Sequence, residues 1–134
     1  MSSVLLFLYG SLKRGMPANH LMHGAEFLRE AETMPLYRLL HLGHYPGLIV
    51  DLEDGLDIRG ELWAVPVELL AKLDTFESVP DETFPRPQAA ADVPSLFRRG
   101  DVAVRDCFET VQAYFWNGPI PHGIHTGSGW PLPE

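Results

Sequence analysis

Two short stretches of the chain carry the residue types best suited to chemistry. The first is the turn Tyr9-Gly10-Ser11-Leu12, and the second is Glu77, at the end of the strongest helical pattern. A glycine after an apolar run lets the backbone approach a ligand closely, and successive amides without a sheet partner form a concavity that binds anions. A carboxylate in such a place is either a solvated helix end or a general acid/base. From the residues alone, the turn is explained equally well as an ordinary strand-to-loop junction.

The elements that flank these residues decide whether they can meet. Val4–Tyr9 is a short apolar run with β-branched and aromatic members, which predicts a buried strand that leads into the turn. Pro66 fits the first turn of a helix, where its missing N–H costs nothing. Glu77 follows the last member of one apolar helical face and so lies close to that face. The members of the face, at spacings of three and four, are Leu69, Leu70, Leu73 and Phe76.

Short extended segments separated by turn signals dominate the rest of the chain. Asn19 is expected to cap a helical turn that runs to Gly24, and thereby to fix the loop before it. The predicted strands are Glu26–Met34, Tyr37–Leu42, Leu48–Val50, Ile58–Val65 and Val111–Trp116. The strand 58–65 alternates, with Ile58, Gly60, Leu62 and Ala64 on one face and Arg59, Glu61, Trp63 and Val65 on the other. Short strands with few helices favour an α+β fold, in which a mixed, mostly antiparallel sheet curls toward a barrel with one or two packed helices.

Length and composition bound the class of protein. At 134 residues the chain is expected to form a single domain, residues 1–134. A net charge of −8 with only ten scattered Lys and Arg argues against nucleic-acid binding, and no apolar run approaches the roughly 20 residues of a membrane helix. No basic region precedes the first strand, which argues against a signal peptide. The single cysteine, Cys107, cannot form an internal disulfide, which favours a cytoplasmic location.

Five short motifs occur in order along the chain. They are Y-G-S-L-K-R-G (Tyr9–Gly15), Asn19-His20, Y-P-G-L (Tyr45–Leu48), G-E-L-W (Gly60–Trp63) and L-D-T-F-E (Leu73–Glu77). Together they resemble the γ-glutamylcyclotransferase-like family, also called AIG2-like, and are most similar to its γ-glutamylamine cyclotransferase branch. The resemblance extends from about Leu6 to about Trp116, and it implies the same small, curled barrel.

The resemblance implies a cyclisation that needs no protein nucleophile. In a γ-glutamyl amide, the substrate's own α-amino group attacks the γ-carbonyl, closes the five-membered ring of 5-oxoproline and expels the amine. Because both reacting groups belong to one molecule, no cofactor and no metal are expected. The reaction needs a near-attack geometry and one proton shuttle. Glu77 matches the acid/base of the family, which takes the proton of the substrate ammonium and returns it to the departing amine.

The resemblance also implies which residues bind this small-molecule substrate. Those that match the family loop, and would hold the α-carboxylate and carbonyl oxygen through backbone amides, are Tyr9, Gly10, Ser11 and Leu12. Tyr45 is a candidate for the pocket wall, and Trp116 takes the position of a late-strand tyrosine of the family. Lys13 and Arg14 could attract the glutamyl carboxylate, but as a pair in a turn they are more simply explained as solvated.

The chain departs from the family pattern in three places. Phe97 replaces a strand tyrosine, and Trp116 replaces the late-strand tyrosine. Ser78–Leu96 contains four prolines and is interpreted as a loop insertion. Because the insertion follows Glu77, it is expected to form a lid or wall that selects the leaving amine. Gly118–Glu134 is expected to be a Pro/Gly-rich tail with little core content.

Two other classes of function stay open at this point. One is a non-catalytic ligand-binding or interaction protein on the same scaffold, since a fold does not guarantee an activity. The other is a metal-binding module, because six histidines form three pairs of equal spacing: His20/His23, His41/His44 and His122/His125. Unrelated surface histidines are the better explanation of these pairs. The leaving amine could be the ε-amino group of a lysine, a free amino acid or a γ-glutamyl-protected biosynthetic intermediate, and no oligomeric state is indicated.

Overall fold

A computed structural model describes residues 3–10, 12–16, 19–41, 46–78, 97–117 and 125–129, with the side chains at 75–78 and 125 excepted. These residues form eight strands, one α-helix and one 3₁₀ helix, Asn19–Met22. The strands are β1 (Ser3–Leu8), β2 (Glu26–Glu32), β3 (Tyr37–His41), β4 (Pro46–Val50), β5 (Arg59–Pro66), β6 (Phe97–Val102), β7 (Val111–Trp116) and β8 (His125–Gly127). The helix, α1, is Val67–Ser78.

The strands form one mixed sheet in the order β2-β5-β1-β7-β4-β3-β8, with β6 paired to the other edge of β7. Most pairs are antiparallel, but β1 and β4 both run parallel to β7. β1 pairs with the start of β7, and β4 pairs with Phe115 near its end. The two strands therefore share one edge of β7 and diverge along it. This arrangement is a curled half-barrel with one α-helix, and the predicted fold class is confirmed.

The two faces of the sheet bury separate apolar clusters, as the alternation in the sequence predicts. Ile58 and Leu62 belong to the cluster enclosed by the curl of the sheet. Trp63 and Val65 belong to the second cluster, which α1 covers. The division follows from the two-residue period of a strand, which sends successive side chains to opposite faces.

The helix turns back over the second cluster. Pro66 is the last residue of β5 rather than part of the helix, so α1 begins one residue later than predicted. Leu70 and Leu73 are buried against the sheet, which confirms the predicted apolar face at these positions. Because β5 runs antiparallel to β1, a helix that folds back from the end of β5 runs in the same direction as β1. The end of α1 and the end of β1 therefore lie toward the same side of the molecule.

The predicted tail contains a strand. β8 pairs antiparallel with β3, with His125 opposite His41 and Gly127 opposite Leu39. Sequence reasoning missed this strand because three residues among prolines and glycines carry no periodic signal. Of the predicted insertion, Ser78 ends α1, and residues 79–96 lie outside the described residues, so the lid stays a prediction.

No α-helix within the described residues is long and apolar enough to cross a membrane. The single-domain assignment of residues 1–134 stays a prediction.

Candidate functional site

The turn after β1 begins with a tyrosine whose side chain is part of the core. Tyr9 is buried, and its hydroxyl donates a hydrogen bond of 2.5 Å to the carbonyl oxygen of Tyr114 in β7. The same hydroxyl accepts a hydrogen bond of 3.3 Å from the amide of Leu48 in β4. The phenol of Tyr9 therefore joins β7 to β4 at the point where β1 and β4 diverge. The Tyr9 side chain is thus a structural anchor, and a role in ligand binding is left to its backbone.

Gly10 lies against the Y-P-G-L segment. A Cβ atom at Gly10 would come within 2.9 Å of Cγ and 3.3 Å of Cδ of Pro46, so only glycine fits there without a shift. This contact and the bond from Leu48 to Tyr9 bring two distant motifs together. Tyr45, the residue before Pro46, and Ser11, the residue after Gly10, lie outside the described residues, so their binding roles stay predictions.

Backbone and side-chain hydrogen bonds fix the rest of the turn. The amide of Lys13 donates to the carbonyl of Gly10 at 3.1 Å, which closes a β-turn. The side-chain amide of Asn19 donates to the carbonyl of Leu12 at 2.8 Å, so Asn19 does hold this loop, but through a bond to the turn rather than through the predicted cap of the helical turn. Within the described part of the chain, no group accepts a hydrogen bond from the amide of Gly10 or of Leu12. Amides without an acceptor among the described residues are the kind of donor that an anion-binding turn requires.

A buried carboxylate of β5 ties the turn to the sheet. Glu61 accepts a hydrogen bond of 2.9 Å from the backbone amide of Arg14, and one of 3.0 Å from its guanidinium Nε. The indole N–H of Trp63 donates a third, of 3.2 Å, to the same side chain. The Arg14 guanidinium also stacks 3.6 Å from the ring centre of Phe27, which packs edge-on against Trp63. The interpretation of Arg14 as a merely solvated turn residue is therefore wrong.

Sequence reasoning recorded G-E-L-W as a motif but missed what its glutamate does. The available signal was the alternation of β5, which places Glu61 on the same face as Trp63 and Val65. A carboxylate that shares a face with Trp63 and Val65 must be paired where it is buried, because an unpaired buried charge is costly. The partner could not be read from the sequence, since Arg14 is 47 residues away.

Two ionisable groups at the turn have shifted pKa values. For Glu61, burial acts to raise the pKa, but the hydrogen bonds from Arg14 and Trp63 outweigh it and hold the pKa below its ordinary value. For Lys13, burial lowers the pKa; the nearby Glu61 acts to raise it, and Arg59 to lower it further. The ionised carboxylate of Glu61 in β5 therefore lies beside the turn, near the half-buried ammonium of Lys13.

Helix α1 is fixed to β6 and β7 one turn before its end. The hydroxyl of Tyr114 donates to Oδ1 of Asp74 at 2.5 Å, and Nε of Arg99 lies 3.3 Å from the same oxygen. Three residues further on, at a rise of about 1.5 Å per residue, Glu77 lies about 4.5 Å beyond Asp74 along the helix axis. The side chain of Glu77 is outside the described part, so its acid/base role stays a prediction.

The parallel pairing of β1 and β7 shows the direction in which both strands run. Leu6 pairs with Gln112, so the end of β1 and the end of β7, which carries Trp116, point the same way. Trp116 is half-buried and packs edge-on against Phe97, with ring centres 5.4 Å apart. These two residues, which are predicted to replace family tyrosines, thus contact each other across the pair of β6 and β7. The last turn of α1, the turn after β1 and Trp116 all lie at one end of the half-barrel.

A charged cleft of about 570 Å³ opens on the other side of the turn, toward β2. Among its lining residues are Lys13, Arg59, Glu61 and Glu30. None of the described residues predicted to bind substrate (Tyr9, Gly10, Leu12 and Trp116) lines this cleft. Lys13, which does line it, directly follows Leu12 in the sequence. The cleft is therefore a neighbour of the predicted site and does not define it.

The histidine pairs do not assemble into a described metal site. His20 and His23 are exposed, whereas His41 is buried in β3. Within the described ranges, no group of three or more His, Cys, Asp or Glu side chains could hold a metal ion. His44 and His122 lie outside these ranges, and so does the side chain of His125.

Known proteins resemble this chain in sequence and in fold. The family model described as gamma-glutamyl cyclotransferase, AIG2-like, matches residues 6–131. A putative gamma-glutamylcyclotransferase of Vibrio cholerae is 38% identical over 78 residues, which are 58% of this chain and 65% of that protein. Gamma-glutamylaminecyclotransferase of Homo sapiens is 37% identical over 83 residues, which are 57% of this chain and 54% of that protein. The chain thus spans between half and two thirds of the length of these relatives.

A solved structure agrees with these matches. An AIG2-like protein of Mus musculus has a TM-score of 0.71 and 23% identity, and the match covers 97% of this chain and 89% of that one. At this identity the likeness shows a shared fold. With the match over residues 6–131, it follows that the chain belongs to the gamma-glutamyl cyclotransferase, AIG2-like family.

Proposed function

We propose that this protein is a γ-glutamylcyclotransferase-type enzyme, which converts a γ-glutamyl amide into 5-oxoproline and a free amine. The α-amino nitrogen forms a bond to the γ-carbonyl carbon, and the bond from that carbon to the leaving nitrogen breaks. Glu77 removes two protons in turn from the α-amino nitrogen, one before the attack and one as the lactam forms, and it passes each to the leaving nitrogen, which departs as an ammonium. Atoms and charges balance within the substrate and this one carboxylate, so the proposal includes no cofactor.

The observation that carries the proposal is the convergence of two chain segments at one end of the half-barrel. In the turn after β1, the amides of Gly10 and Leu12 have no acceptor among the described residues, and the last turn of α1, which contains Glu77, ends toward the same side. Backbone donors that meet a developing oxyanion contribute roughly 3 kcal/mol each, and a positioned general base contributes roughly 10²–10⁴-fold in rate. In the proposed mechanism, the donors of the turn and the carboxylate at the helix end are the two protein contributions that the reaction requires.

Each remaining site residue has a proposed part. The backbone amides of the loop residues Tyr9, Gly10, Ser11 and Leu12 hold the α-carboxylate and the carbonyl oxygen. Tyr45 and Trp116 line the wall of the pocket. The substrate is a small molecule in the cytoplasm, and the single cysteine, Cys107, is consistent with that reducing compartment.

The test is the production of 5-oxoproline from a panel of γ-glutamyl amides and dipeptides that differ in the leaving amine. The wild type is compared with Glu77→Gln, which preserves shape but cannot accept a proton. We expect turnover to fall by at least about 10²-fold. The matched control is Glu68→Gln in the exposed first turn of the same helix, which removes an equal charge and should leave turnover unchanged.

Two results would refute the proposal in different ways. Equal turnover in the wild type and Glu77→Gln would remove Glu77 from the mechanism. Binding of γ-glutamyl amides without any product in the wild type would identify a non-catalytic binding protein on the same scaffold.

A further inference from the structure

We propose that Glu61 is a positioning residue, which holds the backbone of residues 12–14 in the conformation that grips the substrate. The inference rests on the proposed function, because it assigns the turn to substrate binding. It concerns a residue that does not touch the substrate itself.

The geometry shows a carboxylate directed at the backbone of the turn. Glu61 pairs with Leu8 across β1 and β5, so it sits where β1 ends and the turn begins. Its side chain is only 10% exposed, and it accepts from the amide of Arg14 at 2.9 Å. That amide belongs to the residue two places after Leu12, whose own N–H is a proposed substrate donor. A fixed Arg14 amide therefore restricts the rotation of the peptide units that aim the Leu12 donor.

The remaining contacts of Glu61 keep the carboxylate itself in place. The Arg14 guanidinium at 3.0 Å neutralises the carboxylate, and the indole N–H of Trp63 at 3.2 Å fixes its rotamer. Trp63 belongs to the apolar cluster beneath α1, so the anchor is built on the rigid part of the fold. A binding turn supported in this way is preorganised, which matters because an error of about 1 Å in a catalytic donor can cost about 10²-fold in rate.

The loop between β4 and β5 offers a matched comparison. Asp51 accepts from the backbone amides of Glu53 and Asp54 at 3.2 and 2.9 Å, and from Nε of Arg38 at 3.1 Å. It is also a carboxylate that fixes a turn with the help of an arginine, but its turn has no part in the proposed site. Asp51→Ala therefore reproduces the structural loss of Glu61→Ala without the expected loss of function.

The experiment compares Glu61→Ala, Glu61→Gln and Asp51→Ala with the wild type in two measurements. One is kcat and KM for the best γ-glutamyl amide of the panel, at a temperature where every variant is folded. The other is hydrogen–deuterium exchange of the backbone amides of residues 12–16. Glu61→Gln keeps an oxygen that can accept from the Arg14 amide and from Trp63, so it should rescue part of what the alanine variant loses.

We expect Glu61→Ala to lower kcat/KM by about 10–100-fold and to speed exchange in residues 12–16. Glu61→Gln should fall between this variant and the wild type, and Asp51→Ala should match the wild type in both measurements. Unchanged exchange at residues 12–16 in Glu61→Ala would overturn the proposal. An equal loss of kcat/KM in Asp51→Ala would also overturn it, because the effect would then be general destabilisation.

Failure of the proposed function gives a different result. A wild type that makes no 5-oxoproline from any member of the panel refutes the cyclotransferase activity, whatever the exchange data show. The exchange data then still decide whether Glu61 fixes the turn.

Discussion

Replacing Tyr9 with phenylalanine removes a single oxygen atom from the point where β1 and β4 separate. The hydroxyl donates to the carbonyl of Tyr114 at 2.5 Å and accepts from the amide of Leu48 at 3.3 Å. Phenylalanine retains the ring and its packing in the enclosed cluster. The change therefore isolates the two hydrogen bonds that join β7 and β4 through the first residue of the turn.

The expected loss of stability follows from these two bonds. Each buried hydrogen bond contributes about 0.5–1.5 kcal/mol, so removing both should lower the free energy of unfolding by about 2 kcal/mol. The entropy of unfolding is about 2.1 cal/mol/K per residue, which for 134 residues is about 0.28 kcal/mol/K. Dividing the first figure by the second predicts that Tyr9→Phe lowers Tm by about 7 °C.

Tyr37→Phe is the matched control. Tyr37 is as buried as Tyr9, at 6% exposure each, but its hydroxyl accepts one hydrogen bond, of 2.9 Å, from the amide of Ala103. Losing one bond should cost about 1 kcal/mol and lower Tm by about 3–4 °C. Because Tyr37 lies away from the turn, its variant should keep wild-type turnover, whereas Tyr9→Phe should lose several-fold in kcat/KM.

Calorimetry and chemical denaturation of the wild type, Tyr9→Phe and Tyr37→Phe measure the stability of each, and the 5-oxoproline assay then measures their kcat/KM. If Tyr9→Phe melts no lower than Tyr37→Phe, the phenol does not join the diverging strands in the way described. If it melts lower but retains full kcat/KM, the anchor stabilises the fold without affecting the turn.

Two more perturbations test the same end of the molecule. Gly10→Ala should cost about 1–3 kcal/mol in unfolding free energy, because its Cβ would lie 2.9 Å from Cγ of Pro46; an unchanged denaturation midpoint in urea would contradict this contact. Lowering the pH should remove the contribution of Glu61 to the free energy of unfolding, because the pKa of this side chain in the folded protein lies below the ordinary 4.5. For a lowered pKa, the stabilisation is complete above the unfolded value and is lost as pH falls through the folded one. The difference in unfolding free energy between the wild type and Glu61→Gln should therefore be constant above about pH 5.5 and should narrow below about pH 4.5. Urea titrations at a series of pH values measure this difference. A difference that stays constant down to about pH 3 would contradict the pairing of Glu61 with Arg14.

Local sequence patterns were sufficient for the elements that carry the site. The continuous apolar run of β1 predicts a buried strand, and the structure buries both of its faces, whereas the alternation of β5 indicates which of its residues share a face. The spacing of Leu70 and Leu73 likewise predicts the face that α1 turns to the sheet. These features depend on neighbours in sequence, so a sequence can reveal them.

The contacts that support the turn depend on residues far apart in sequence, and no local pattern reports them. Glu61 and Arg14 are 47 residues apart, Tyr9 and Tyr114 are 105 apart, and β8 becomes a strand only because β3 offers an edge. Tyr9 shows both cases in one residue. The apolar run predicts that its side chain is buried, but no local pattern reports that its hydroxyl donates to the carbonyl of Tyr114.

Three of the motifs have one physical explanation in common, because described residues from each of them contact the turn that the first motif forms. Y-P-G-L supplies Pro46, which leaves no room for a Cβ at Gly10 without a shift. Asn19 holds the carbonyl of Leu12, and G-E-L-W supplies Glu61, which holds the amide of Arg14. A turn of a few residues cannot hold a fixed shape by its own hydrogen bonds, since its conformational entropy is large. Residues from three other parts of the chain provide that constraint, and this is why the motifs are spread along the sequence although they serve one short segment of backbone.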